Sequence, residues 1–119
     1  MKLIIAGSSH FDDENKILDI INEKIAKMDI NPKEIEVVCG TAEGVDTHGE
    51  TWALSVGAEI AYFPAEWSQY GKRAGHLRNK DMAEYCDQAL IIWDGKSPGS
   101  NNMIWNMKNC GKPYIEVIC

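Results

Sequence analysis

Apolar and polar positions along this chain follow two periods in turn. Short, nearly continuous apolar runs occur at Leu3–Ala6, Ile35–Cys39, Glu59–Phe63, Ala89–Trp93 and Tyr114–Ile118. Runs of four to six such residues, bounded by Gly, Pro or Asp, predict strands. Between them the apolar positions recur at helical spacing. Ile17, Ile21, Ile25 and Met28 are separated by four, four and three residues, with Asp12 or Asp13 ahead of them as a cap and Asn31-Pro32 behind as a stop. Val45, Gly49, Trp52 and Val56 form a second stripe that ends at Gly57. A third helix is predicted over Ala74–Tyr85. A fourth follows Ser100, with Ile104, Met107 and Met103 turned inward, and Gly111-Lys112-Pro113 breaks it. The segment from Ala65 to Gly71, carrying Trp67 and Tyr70, reads as a loop.

Five strands and four helices in strict alternation predict an α/β fold, a three-layer sandwich built on a five-stranded parallel sheet. Right-handed crossovers give the expected strand order 3-2-1-4-5. No repeat or linker divides the sequence, so residues 1–119 are expected to form a single domain.

Composition narrows the classes further. An apolar fraction of 45% and a charged fraction of 25% are those of a globular protein. No apolar run approaches the ~20 residues of a membrane span, and the first strand is too short an apolar stretch for a signal peptide. Four cysteines (Cys39, Cys86, Cys110, Cys119) and three histidines (His10, His48, His76) are scattered without ligand spacing. No metal site or cofactor is expected, and the thiols are read as reduced in a cytoplasm. The net charge of −6 opposes polyanions. Against it, Gly71–Lys80 carries Lys72, Arg73, Arg78 and Lys80 and no acid. It reads either as a solvated helix end or as part of an anion site.

Ligands of open parallel sheets bind beyond the carboxyl ends of the strands, where the strand order reverses. The loops that reach this crevice are Gly7-Ser8-Ser9, the stretch Gly40-Thr41 to Gly44 and Asp46, and Asp94 to Ser100 with Lys96, Ser97 and Gly99. Free N–H groups at helix starts, close backbone approach at glycines and nearby hydroxyls suit a phosphate. Arg78 and Asn79, on the preceding helix, are candidates to reach the same place, Arg78 as a bidentate clamp. Trp67, and Tyr70 near it, would either stack on a base or cover the sheet edge. Asp46 and Ser100 equally suit plain helix caps. Trp105, Met103 and Trp52 are read as spare aromatic and Met surface for self-association.

Taken in order, Ile5-Ala6-Gly7-Ser8, Gly40–Asp46 with Gly49 and Trp52-Ala53, Phe63–Trp67, Arg78–Ala83 and Trp93–Ser100 with Asn102-Met103-Ile104 resemble the YspA-like (YpsA-related) branch of the SLOG superfamily. The resemblance spans nearly the whole chain. It implies a Rossmann-like fold and a site for nucleotides or ADP-ribose derivatives. Relatives that release bases from nucleotides use a Gly-Gly-x-Gly-Thr-x-x-Glu loop. Aligned on Gly99-Ser100, the Glu position is Met103 here, which offers neither base nor nucleophile. Ser9, Glu43 and Pro98 also stand where this branch usually carries basic residues.

These readings give an expected function of binding a nucleotide-derived or ADP-ribose-type molecule without turnover, with no catalytic residue. The protein would act as a signal sensor or a sequestering sponge, in a host cytoplasm if phage-encoded, and at least as a homodimer. The alternatives are an N-glycosidase using Asp46 or Asp94, and a protein–protein interaction module. Nucleic acid is not expected as a partner, because the basic stretch is short and lacks interleaved aromatic residues.

Overall fold

The computed structural model describes residues 1–119. Its elements are β1 (Lys2–Gly7), α1 (Glu14–Ala26), β2 (Glu36–Cys39), α2 (Val45–Val56), β3 (Glu59–Tyr62), α3 (Trp67–Tyr70), α4 (Ala74–Tyr85), β4 (Gln88–Trp93), α5 (Pro98–Asn109) and β5 (Tyr114–Ile118). All five strands are parallel and lie in the order β3-β2-β1-β4-β5. The α/β class and the expected order 3-2-1-4-5 are both realised.

Strand residues alternate between two cores. Leu3, Ile5, Val37, Leu90 and Ile92 pack with Ile17, Ile21 and Ile25 of α1 and Val45, Trp52 and Ala53 of α2. Ile4, Ala6, Val38, Ala89 and Ile91 pack with Met82 and Ala83 of α4 and Met103, Ile104 and Met107 of α5. Both faces of the central strands are therefore buried, which is why their sequences read as continuous apolar runs instead of alternating. α1 begins at Asp13, whose carboxylate accepts from the Lys16 N–H at 3.2 Å. Met28 lies past the end of α1, in the turn that follows it.

Three expectations need correction. The Ala65–Gly71 segment is not all loop: Trp67–Tyr70 forms one helical turn, α3. Trp52 and Met103, read as surface for self-association, are 1% and 2% exposed. Trp52 goes under because its indole N–H is satisfied by Asn22 Oδ1 at 2.8 Å, so the whole ring is free to enter the core. Trp105 alone of the three stays outside, 59% exposed on α5.

Candidate functional site

Because every strand runs the same way, Gly7, Gly40 and Asp94 stand at the carboxyl ends of β1, β2 and β4, on one rim of the sheet. A cleft of about 280 Å³ opens there. Of the residues expected at a site, Gly7, Ser9, Asp46, Arg78, Asn79, Ser97, Gly99 and Ser100 line it. Ala6, Ala42, Met82, Pro98 and Met103 complete the wall. Ala6, Ala42 and Pro98 fall within the motifs of the sequence but carry no polar side-chain group that would mark them as site residues. Met82 lies within the Arg78–Ala83 motif.

Glycine is required at β1's end by contact, since a Cβ on Gly7 would lie 1.7 Å from the Ile92 carbonyl oxygen. The next residue, Ser8, is fully buried and joins three segments. Its N–H donates to Ile92 O at 3.1 Å, its carbonyl accepts from Phe11 and Val45 N–H at 3.4 Å each, and its hydroxyl accepts from Asp94 N–H at 3.1 Å. Ser8 thus holds the β1, α2 and β4 loops together from beneath the cleft and does not line it. Gly44, in the left-handed region at φ 73°, packs against the carbonyls of Ser8 and Ser9.

The Asp94 loop is organised by its carboxylate, which accepts from the N–H groups of Lys96 at 2.8 Å and Ser97 at 2.9 Å. Those bonds, that of Lys96 first, hold its acidity above the usual carboxylate level, and His10, 3.7 Å away, adds to the effect. Asp94 therefore shapes the turn into α5, and the Lys96 side chain stays exposed. Pro98 opens α5, Ser97 caps it without a side-chain bond, and Gly99 and Ser100, whose N–H groups belong to the uncapped first turn, line the cleft. The Ser100 hydroxyl lies 3.4 Å from that of Ser97.

α4 supplies the opposite wall. Helical period sends His76 and Lys80 outward and turns Arg78 toward the sheet, while Lys72 and Arg73 are exposed in the short turn ahead of α4. Arg78 Nη1 donates to the carbonyls of Gly40 and Phe63, at the ends of β2 and β3, and Nε donates to Asn79 Oδ1 at 3.0 Å. Nη2 has no protein acceptor. Arg78 therefore ties two strand ends to α4. Asn79, 7% exposed, donates to Gly99 O at 3.2 Å and Asn102 Oδ1 at 3.1 Å, joining α4 to the first turn of α5.

Asp46 is the one buried carboxylate, 5% exposed in the first turn of α2. It accepts from Ala42 N–H at 3.3 Å. Burial pushes its pKa up to about 6, opposed in part by the Arg78 charge and the Ala42 bond. α2 has Gly44 at its cap position and no side-chain cap, so Asp46 serves as an acidic first-turn residue. Beneath it, burial raises the Cys39 thiol to about 11, which keeps it protonated and unreactive. Thr41 is exposed, with φ 62°, and Gly40 is packed between Asp46 and Arg78. Trp67 is 60% exposed on α3, its ring against Gly75, outside the cleft lining.

Comparison with known proteins places this architecture. A family model described as "YspA, cpYpsA-related SLOG family" matches residues 1–70, more than half of the chain. The chain belongs to that SLOG family. It is similar to the Gene 61 protein of Mycobacterium phage D29, with 28% identity over 121 residues covering 97% of this chain and 94% of that protein. Its fold is that of DNA processing protein A (DprA) from Streptococcus pneumoniae, with a TM-score of 0.76 at 16% identity over 97% of this chain. The SLOG chain spans about half of that structure, 49% of its length.

Proposed function

We propose that the rim cleft binds a phosphate-bearing, nucleotide-derived small molecule of the ADP-ribose type and returns it unchanged. The observation that carries this reading is convergence on one cleft. Ser9, Arg78, Ser97, Gly99 and Ser100, which carry N–H, hydroxyl or guanidinium donors, all line it. Pre-set donors at a helix start are the arrangement that holds a phosphate. Met103 lines the same cleft at the position of the family's catalytic Glu, which supports binding without base release. A sensor or a sequestering sponge fits such a protein, and likeness to a phage protein supports a host-cytoplasm setting. Homodimerisation belongs to the proposal through Trp105, with light scattering as its test.

The deciding experiment is heat denaturation of purified protein followed by mass spectrometry of released small molecules. Intact nucleotide-derived compounds are expected. One observation favours a second reading: Asp46, beside the cleft, holds a proton up to near-neutral pH, as an acid for N-glycosidic cleavage would. Incubation with nucleotides separates the two, because free base above protein stoichiometry establishes an enzyme. The argument against nucleic acid is not kept, since Lys72, Arg73, His76 and Lys80 present an exposed basic stretch and the fold is that of a DNA processing protein. Titration of a labelled single-stranded oligonucleotide at two salt concentrations tests that partner.

A further inference from the structure

Arg78 is a wall of two cavities. On its far side from the phosphate cleft lies a second one, also about 280 Å³, beyond the carboxyl end of β3 and between α3 and α4. The two sides differ in chemistry. The cleft is lined mainly by residues that carry N–H or hydroxyl donors, with Asp46 as its one carboxylate. The second cavity is lined by Tyr62, Phe63, Tyr70 and Leu77, with the carboxylates of Glu66 and Asp81.

We infer that this second cavity takes the nucleobase of the ligand whose phosphate sits in the cleft, and that it prefers a base carrying an exocyclic amine. The inference rests on the phosphate-binding reading above and deepens it. A nucleotide is divided in the same way as the protein surface, with an anion at one end and a planar ring with N–H donors at the other. Tyr62 and Tyr70 are 51% and 44% exposed, so their rings are presented to a ligand and not buried in the core. Phe63 is held against Tyr85 with ring centroids 5.3 Å apart, which fixes that wall. A base of any kind gains from aromatic surface of this sort. Glu66 and Asp81, as carboxylates, accept hydrogen bonds only. They reward an amine such as that of adenine, oppose the carbonyl that uracil offers, and repel a phosphate. The charge pattern therefore sets ligand direction as well as base preference. Arg78 stands between the two ends, its Nη1 committed to the carbonyls of Gly40 and Phe63.

The test is calorimetric titration of the full chain with AMP, UMP and ribose 5-phosphate, together with adenosine at millimolar concentration followed by NMR. AMP is expected to bind ~10-fold or more tighter than ribose 5-phosphate, and tighter than UMP. Tyr70→Ala, at an exposed position, is expected to weaken AMP by a similar ~10-fold while leaving ribose 5-phosphate unchanged. Asp81→Asn should narrow the gap between AMP and UMP. Equal affinity for AMP and ribose 5-phosphate, or equal losses of both in Tyr70→Ala, overturns the inference while leaving the phosphate cleft standing. Adenosine binding that depends on Tyr70, with no response to ribose 5-phosphate, overturns the phosphate reading and leaves the second cavity as a base pocket alone. Silence toward all four overturns both.

Discussion

Replacing Asp46 by Asn should make the protein more stable at neutral pH, although it removes a carboxylate from the rim. The carboxylate is 5% exposed and forms no direct ion pair; the Arg78 charge acts on it only at a distance. Its pKa in the folded protein is about 6, against 3.8 when exposed. The sign follows from which state holds the proton. Below 3.8 both folded and unfolded chains are protonated, and the group contributes nothing. Between 3.8 and about 6 the folded state keeps a proton that the unfolded state releases, so stability falls as pH rises. Above about 6 the loss is complete. At 1.36 kcal/mol for each tenfold difference in acidity, it amounts to on the order of 3 kcal/mol. Asn keeps an oxygen for the Ala42 N–H and avoids the charge. It forfeits the favourable place of an acid in a first helical turn, roughly 0.3–1 kcal/mol. The net gain at pH 7 is then about 2 kcal/mol. Urea unfolding followed by tryptophan fluorescence at pH 4 to 8 reads it directly. The wild-type and Asp46→Asn midpoints should converge near pH 4 and separate up to about pH 6. Curves that stay parallel across this range, or a variant weaker at pH 7, would refute the account of Asp46.

Arg78→Ala should cost about 1–3 kcal/mol of stability, because two strand-end carbonyls lose their donor; thermal denaturation reads this, and Arg78→Lys should recover part of it. Gly7→Ala places a Cβ 1.7 Å from Ile92 O and should destabilise by at least the ~1–3 kcal/mol of an overpacked core, measured in urea. Met103→Glu puts a carboxylate at a position 2% exposed, so it should lower the melting temperature without producing free base from nucleotides, as chromatography of the reaction would record. Lys112→Met removes three bonds from its ammonium to the carbonyls of Ala83, Glu84 and Cys86, which close the end of α4, and should cost about 1–3 kcal/mol by the same denaturation assay.

The central strands were legible because a strand buried on both faces has an unmistakable sequence, as Ala89–Trp93 illustrates, and the order followed from right-handed crossovers. The rim loops were legible for the same reason, since parallel strands must bring their carboxyl ends together. Arg78 was legible as a residue facing the crevice, but its second role was not. Bonds from a guanidinium to the backbone carbonyls of Gly40 and Phe63 depend on strands distant in sequence and leave no periodic mark. Ser8 shows the converse: a hydroxyl read as a ligand group is fully buried beneath the cleft, where it accepts from Asp94 N–H. The helical stripe placed Trp52 correctly with Val45 and Gly49, and only its second reading as surface fails, because Asn22 satisfies the polar edge of its ring. The single turn of α3 was missed because four residues are too few to display a helical period.

The bonds made by Ser8 have a consequence for how the rim meets its ligand. A loop free to move loses conformational entropy when a ligand fixes it, roughly 1–2 kcal/mol per residue. Here the β1, α2 and β4 loops share one buried knot, so that loss has already occurred when the chain folded. A ligand of the kind proposed would encounter a mould instead of a hand. Selectivity in such a mould comes from exclusion: a molecule slightly too large is refused, where a mobile loop would have yielded to admit it.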